Sequence, residues 1–515
     1  MTTISSLNVG LPLTVTPSSS TGSSLASVAR EASGDAVSGS ASTIVTIPSQ
    51  SVESPIVYTQ EGTLANAAPT ITWAHASTDA VSLAMAGDYM AGTTSGQFYN
   101  LGSTLLDHFK TTGSNFSQSV TVTSAAATGS IGLSGQGPQS DIKLTVQTAS
   151  GIKVDIEMNN EGGTLAVNVN SSGTLSDAER SALAKLADGF QKAINGLSDV
   201  PPTLDLSGLT QYDTSVLSSV NMQFNVTGEA QNNVSADISL SNSARNVSVT
   251  DSTGTINLNV DTSDSAIWGS GAQRNQAIAS YLTQFDNASA RGHGNAALMT
   301  MFKDAFTQMN SDYGTSSQSL PGTAYAPWLA QSDQAMLTGL ADFTASITDT
   351  PVSSNPLLLN QTDSFSYQVS QSTNTRGDLL NGEISQNQQS HLQASYHQSL
   401  SGGPVHLGLS LASQTYDYFQ IDDDASSTVN IETQRGNLLR ASLNQSSSQS
   451  TRESEYVKGE LVSDVTTPTN TSDSKDLLTL LKPFLEDNQA AQDSGAWEQT
   501  LSNIHGMVLL NASTS

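Results

Sequence analysis

Asp141–Val169, DIKLTVQTASGIKVDIEMNNEGGTLAVNV, decides how this chain is read. Ile142, Leu144 and Val146 alternate with polar residues, Ala149-Ser-Gly151 turns, Ile152, Val154, Ile156 and Met158 alternate again, Glu161-Gly-Gly163 turns, and Leu165, Val167 and Val169 make a third run. A period of two places every apolar side chain of a strand on one face, so the stretch predicts a three-stranded antiparallel meander with one buried face. The cover follows directly. Ser176 and Glu179 have the spacing of a capping box, and Leu183, Leu186, Phe190, Ile194 and Leu197 form one helical stripe that Pro201-Pro202 ends. A sheet followed by an amphipathic helix packs as two layers.

Upstream, 75–112 reads as helical, with Phe98, Leu101, Leu105 and Phe109 at spacings of three and four. Downstream, alternation returns at Val220, Met222, Phe224 and Val226, then at Ala236, Ile238 and Leu240, Val247 and Val249, and Ile256, Leu258 and Val260. This predicts a second small antiparallel sheet. Stripes at Ile278, Leu282 and Phe285, at Leu298, Phe302, Phe306 and Met309, and at Met336, Leu340, Phe343 and Ile347 make 271–349 a helical cluster, closed by Asp349-Thr-Pro351 and Pro356.

The texture changes over 363–463, where Phe365, Tyr367 and Val369, Leu392, Ala394 and Tyr396, Val405, Leu407, Leu409 and Leu411, Val429 and Ile431, and Leu439 and Leu443 stand in polar surroundings. Alternation over segments of this length predicts a wet, one-sided antiparallel meander. An outer-membrane barrel has similar segments but needs an apolar outer band and aromatic girdles where this chain has Gln, Ser and Asn. A closing helix is expected from near Asp473, carrying Leu477, Leu480, Leu481, Phe484 and Leu485 and kinked by Pro483. The expected fold class is α+β: small antiparallel sheets covered by amphipathic helices, a polar antiparallel meander near the C-terminus and a disordered N-terminus. The expected divisions are a leader over 1–70, a helix with meander and capping helix over 71–202, a second sheet with helical cluster over 203–350, and the polar meander with C-terminal helices over 351–515.

Composition excludes more than it assigns. The 515 residues hold 18 Lys plus Arg against 46 Asp plus Glu, a net charge of −28 that repels phosphate backbones and anionic membranes, and no basic cluster offsets it. Nucleic acid is therefore not an expected partner, whereas a protein partner is. Only 12% of residues are charged, so the polar surface is built from hydroxyls and amides. Zero cysteines remove disulfides, thiolate metal sites and thiol nucleophiles together. No apolar run is long enough for a transmembrane helix.

Searches for chemistry return little. Gly292-His-Gly-Asn-Ala-Ala297 matches a dinucleotide turn in letters only, since no buried strand precedes it, and a link between two helices explains it better. Ser472-Asp-Ser-Lys475 matches Ser-x-x-Lys without companion motifs and reads as a helix N-cap. Asp422, Asp423 and Asp424 are candidate oxygen ligands for calcium, the competing reading being an acidic hairpin turn; Asp251, Asp261 and Asp264 admit the same two readings. Of seven histidines, His391 and His397 share a strand face but lie about 20 Å apart, too far for one metal, and all seven read as surface residues. Trp73, Trp268, Trp328 and Trp497 are expected to anchor cores.

The leader carries the positive hint. Residues 1–70 are Ser, Thr, Ala, Gly and Val with isolated prolines, including Pro17-Ser-Ser-Ser-Thr-Gly-Ser-Ser24, and the first positive charge is Arg30, so no cleavable signal is expected. This composition resembles the unfolded, uncleaved export signals of bacterial type III and flagellar secretion substrates. The resemblance implies an exported interaction or structural protein without catalytic activity, delivered by a signal-peptide-independent route. It does not extend to filament formation, because flagellins have heptad-like terminal helices and 1–70 has none. A plain flexible tail on a cytoplasmic protein or enzyme, and a calcium-stabilised extracellular module, are the competing readings.

Overall fold

The computed structural model describes residues 70–75, 78–123, 139–228, 233–311, 313, 329–378, 380–486 and 495–511. Residues 1–69 of the expected leader, Trp328 and residues 512–515 lie outside them, and Thr70, its last residue, begins a strand. The elements run β1 Thr70–Trp73, α1 Ala80–Asp88, α2 Thr94–Gln97, α3 Leu101–Thr112, β2 Phe116–Thr123, β3 Gln139–Thr148, β4 Lys153–Glu161, β5 Thr164–Ser171, α4 Asp177–Ala184 and α5 Ala187–Leu197. They continue with β6 Leu217–Thr227, β7 Val234–Ser241, β8 Ala244–Thr250, β9 Gly254–Asp261, α6 Gly271–Gly292, α7 Ala296–Ser311, α8 Gln331–Ala335 and β10 Asp342–Asp349. Five long strands follow, β11 Ser364–Gly377, β12 Asn381–Gln398, β13 Tyr416–Gln434, β14 Asn437–Val457 and β15 Glu460–Asp476, then α9 Leu477–Glu486 and α10 Gly495–Val508.

The mixture of helix and sheet is as expected; the separate small sheets are not. Among the described residues, fifteen strands form one antiparallel sheet in the order β1-β2-β5-β4-β3-β6, then sequentially to β15. The meander at 141–169 forms in register, Ile142 opposite Met158 and Ile156 opposite Val169. Its outer strands are not edges, because β3 also pairs with β6 and β5 with β2. The ladder runs on past residue 203 through β3 and β6, and past residue 351 through β10 and β11. Strand alternation reports which residues share a face but not which strand lies next door, and that is why one sheet reads as several.

One face is covered. Ile142, Leu144, Val146, Val154, Ile156 and Met158 are fully buried, as are Leu105, Phe109, Phe190 and Ile194 of the helices above them. The capping helix forms as two pieces, α4 and α5, which carry the chain from β5 across β4 and β3 to β6. Likewise 75–112 folds as three short helices around the expected stripe. The start of α3 has no side-chain cap of its own; the buried Gln191 of α5 accepts from Gly102 N at 2.9 Å and donates to Phe98 O at 2.9 Å. Such a bond satisfies a helix N–H that would otherwise be buried without a partner.

Between α6 and α7, His293 takes a left-handed conformation (φ 57°) and Asn295 caps α7 by accepting from Ala297 N and Leu298 N. The glycines of this corner serve contact with the sheet, since a Cβ on Gly292 would lie 2.7 Å from the Phe365 ring and one on Gly294 3.1 Å from it. The dinucleotide-like letters thus encode a tight helix corner.

Three expectations are corrected. The stripe Met336, Leu340, Phe343 and Ile347 is not a helix: Phe343, Ala345 and Ile347 alternate within β10, which fills the slot between β9 and β11. Spacings of three and four fit the helical period, yet Thr344, Ser346 and Thr348 complete a strand pattern that the neighbouring edges select. Val405 to Leu411 is loop and a single 3₁₀ turn, because β12 and β13 already have neighbours on both sides. Ser472–Ser474 belong to β15; the helix α9 begins after Asp476, whose carboxylate accepts from Leu478 N at 3.0 Å.

The capping box forms as read. Glu179 Oε2 accepts from Ser176 N at 2.8 Å and Oε1 from the Ser150 hydroxyl at 2.5 Å, tying α4 to the β3–β4 turn. The Ser150 hydroxyl and then the Ser176 N–H pull the Glu179 carboxyl down to about 2. A depressed carboxyl stabilises the fold above its ordinary pKa, and that contribution disappears as pH falls towards 2. Glu179→Ala is therefore expected to cost about 1–2 kcal/mol in urea melts at pH 7, and measurably less at pH 2.5.

Candidate functional site

The face away from the helices is as regular as the core. Between the apolar positions stand Asn, Ser, Thr and Gln, and the register lines them up from strand to strand. Asn221 faces Ser239, Ser239 faces Asn246, Asn246 faces Asn259, Asn259 faces Thr344 and Thr344 faces Ser370. Two residues along, a second row passes through Gln368, His391, Asp424, Ser448 and Asn470.

Cross-strand bonds tie these rows. Ser239 Oγ donates to Asn221 Oδ1 at 2.7 Å and Ser248 Oγ to Asn257 Oδ1 at 2.8 Å, while the Ser426 and Ser446 hydroxyls lie 2.8 Å apart. At the β3–β4 end, Thr145 donates to Asp155 at 2.7 Å and Lys143 to Glu157 at 2.6 Å. The bond to Glu157 holds the Lys143 ammonium above its usual range. Burial pushes the Asp155 carboxyl up, but the Thr145 hydroxyl and Lys153 outweigh it and leave the group low.

This face is concave. A single trough of about 1360 Å³ touches β3 and every strand from β6 to β15. Laid flat, those strands would extend about 48 Å at the usual interstrand spacing, so the sheet curls around its polar side.

The three candidate aspartates are divided between the faces. Asp423 points to the helix side, where Arg291 of α6 grips both carboxylate oxygens, one of them at 2.8 Å, and also donates to Thr451 at 3.1 Å. The hydrogen bond to Asp423 raises the Arg291 pKa. Asp424 and His391 line the trough and Asp422 shares their face; His391 Nδ1 lies 2.9 Å from Asp424 Oδ1 and 3.9 Å from Asp422 Oδ1. One donor atom from each of these three residues falls within 4.8 Å of the others. His391 was not in the expected set; the signal for it is cross-strand register, which the sequence does not print.

Other candidates resolve into structure. Asp251 and Asp261 accept turn N–H groups from Thr253, Gly254 and Ser263, and Asp264 caps a 3₁₀ turn at Ala266. Lys475 pairs with Asp473 at 2.8 Å and, three residues from Ser472 on a strand, faces the other side. Two histidines are not at the surface: the His397 side chain is buried with Nδ1 on Asp363, and His505 is buried between Gln276 and Thr338. Trp497 is buried in a core and Trp73 and Trp268 are partly so. No protein family, curated protein or solved structure matches the chain.

The division of the aspartates is measurable. Asp423→Asn is expected to lower stability by about 2 kcal/mol, since it weakens a largely buried pair and leaves Arg291 without its counter-charge, while Asp422→Asn and Asp424→Asn stay within about 0.5 kcal/mol of the parent. Thermal or urea melts of the three single variants check this; equal effects would contradict the opposed faces.

Proposed function

We propose that the protein is an exported bacterial binding protein without catalytic chemistry, and that its trough holds an uncharged, hydroxyl-rich polymer, a neutral glycan strand. One observation carries this reading: most of the side chains on the trough face are amides and hydroxyls, in rows that run across eleven strands, with Lys143, Asp237, His391 and Asp424 as the charged or titratable exceptions. In the Ser–Asn pairs the sheet uses the amide oxygen, which leaves the amide N–H₂ outside that bond and available to a ligand. Sugar hydroxyls both donate and accept, so they match such a wall at many points. The acidic excess disfavours polyanions in the same place.

Export is supported by the leader composition alone. Two experiments test the halves separately. Titration of neutral oligosaccharides of increasing length by calorimetry is expected to give affinity that rises with chain length, and Asn257→Trp with Ser346→Trp, which place bulk in the trough, are expected to reduce it at least tenfold with an unchanged melting temperature. No binding to any neutral glycan would sink the ligand assignment. Residues 1–70 fused to a reporter are expected to carry it out of secretion-competent bacteria; retention inside the cell would refute the export reading.

A further inference from the structure

We propose that His391, Asp422 and Asp424 bind one first-row divalent cation, of the zinc, manganese or nickel class, on the trough wall. The site does not depend on what else the trough holds.

Two adjacent strands build it. Asp422 and Asp424, two residues apart on β13, share the trough face, and His391 of β12 stands directly opposite Asp424 in the ladder. Their donor atoms, with spacings of 2.9 and 3.9 Å from the imidazole and none beyond 4.8 Å, are close to the roughly 3–3.5 Å separation that ligands about 2.1 Å from a common ion adopt. Small side-chain rotations close the difference, because both aspartates are exposed. Backbone register fixes the rest.

Charge favours the same conclusion. Asp423 has the Arg291 guanidinium, but the strand neighbours of the other two aspartates are neutral: Gln393 and Ser450 lie opposite Asp422, and Ser448 lies opposite Asp424 on β14. Two carboxylates on one face with a single imidazole between them hold a divalent ion with near-complete neutralisation. The donor set also selects the ion. Calcium takes six to eight oxygen ligands, whereas one imidazole nitrogen with two carboxylates suits zinc, manganese or nickel and leaves positions for water or a ligand hydroxyl. Exchanging Asp423 for His391 thus moves the expected metal away from calcium.

The test uses the full chain after chelator treatment, titrated with zinc, manganese, nickel and calcium chlorides by calorimetry. One saturable site for a first-row ion is expected, with calcium at least tenfold weaker, and His391→Gln and Asp424→Asn are each expected to weaken binding at least tenfold while Asp237→Asn, elsewhere in the trough, changes it less than about twofold. A second measurement needs no variant: manganese should broaden the His391 ring resonances at substoichiometric ratios and spare those of His406. Absence of saturable binding by all three ions, binding unchanged in His391→Gln and Asp424→Asn, or preferential broadening at another histidine would overturn the proposal.

Discussion

The structure depends on one constraint: every interior strand must pair its N–H and C=O groups on both sides while its side chains alternate between two faces. Because a single ladder runs through fifteen strands, the face chosen in one strand is imposed on all of them. The apolar row can be followed from Met158 through Ile142, Phe224, Ala236, Val249, Ile256, Ile347, Tyr367 and Leu392. Its next member is Asp423. That aspartate sits on the core side through register, and the Arg291 pairing is the compensation its position requires. A slip of one residue in β13 would send Asp423 to water and Asp422 and Asp424 into the core. The irregularities recorded in the ladder, at Gln147/Thr148, Glu432/Thr433 and Glu455/Tyr456, lie near strand ends and leave the trough rows unbroken.

This explains which parts were legible in the sequence. Strands such as Val220–Val226 and Ile256–Val260 are readable because their alternation is local, and the α4 capping box because both partners lie within one turn. Neighbour choice is not local: the pairing of β3 with β6 joins residues some 80 positions apart, and no periodicity encodes it. The stripe through Phe343 and Ile347 satisfied both periods, so only the adjacent edges of β9 and β11 decide it. Of the candidate site, two aspartates were legible and the histidine was not. Asp422 and Asp424 lie two residues apart in sequence, whereas His391 reaches them from the neighbouring strand β12.

The polar texture of 363–463 has a second cause. Several glutamines on its core-facing positions are buried, where a wet sheet would not place them. Gln388 accepts from Leu510 N and Tyr281 OH and donates to Val508 O, Gln445 donates to Met507 O and Leu509 O, and Gln284 of α6 donates to Leu510 O. Side-chain amides here hold the end of α10 and the residues after it in place of a backbone ladder. Gln386 and Gln371 serve the turn at Thr338 in the same way. A buried amide is tolerated when its groups are met, as at Gln388, and the partners lie 33 to 226 positions away in the sequence. The sequence therefore showed polarity where the structure has a hydrogen-bonded core.

The acidic excess also gains a structural place. An open sheet of this breadth presents unpaired backbone at its edges, and such edges template association with further strands. Among the described residues the two edges are β1 and β15. β1 is only four residues long. β15 is seventeen residues long and exposed along almost its whole length, so its protection must come from composition. Pro468 stands at its middle, where it removes one donor, and Glu460, Asp464, Asp473 and Asp476 flank it with Lys475 as the strand's one cation. Two copies meeting edge to edge in antiparallel register would bring the acidic ends of β15 together. Repulsion between them, backed by the net charge of −28, opposes the association that the backbone invites. The acidic charge thus also permits a long sheet to keep an open edge and a curled, accessible polar face.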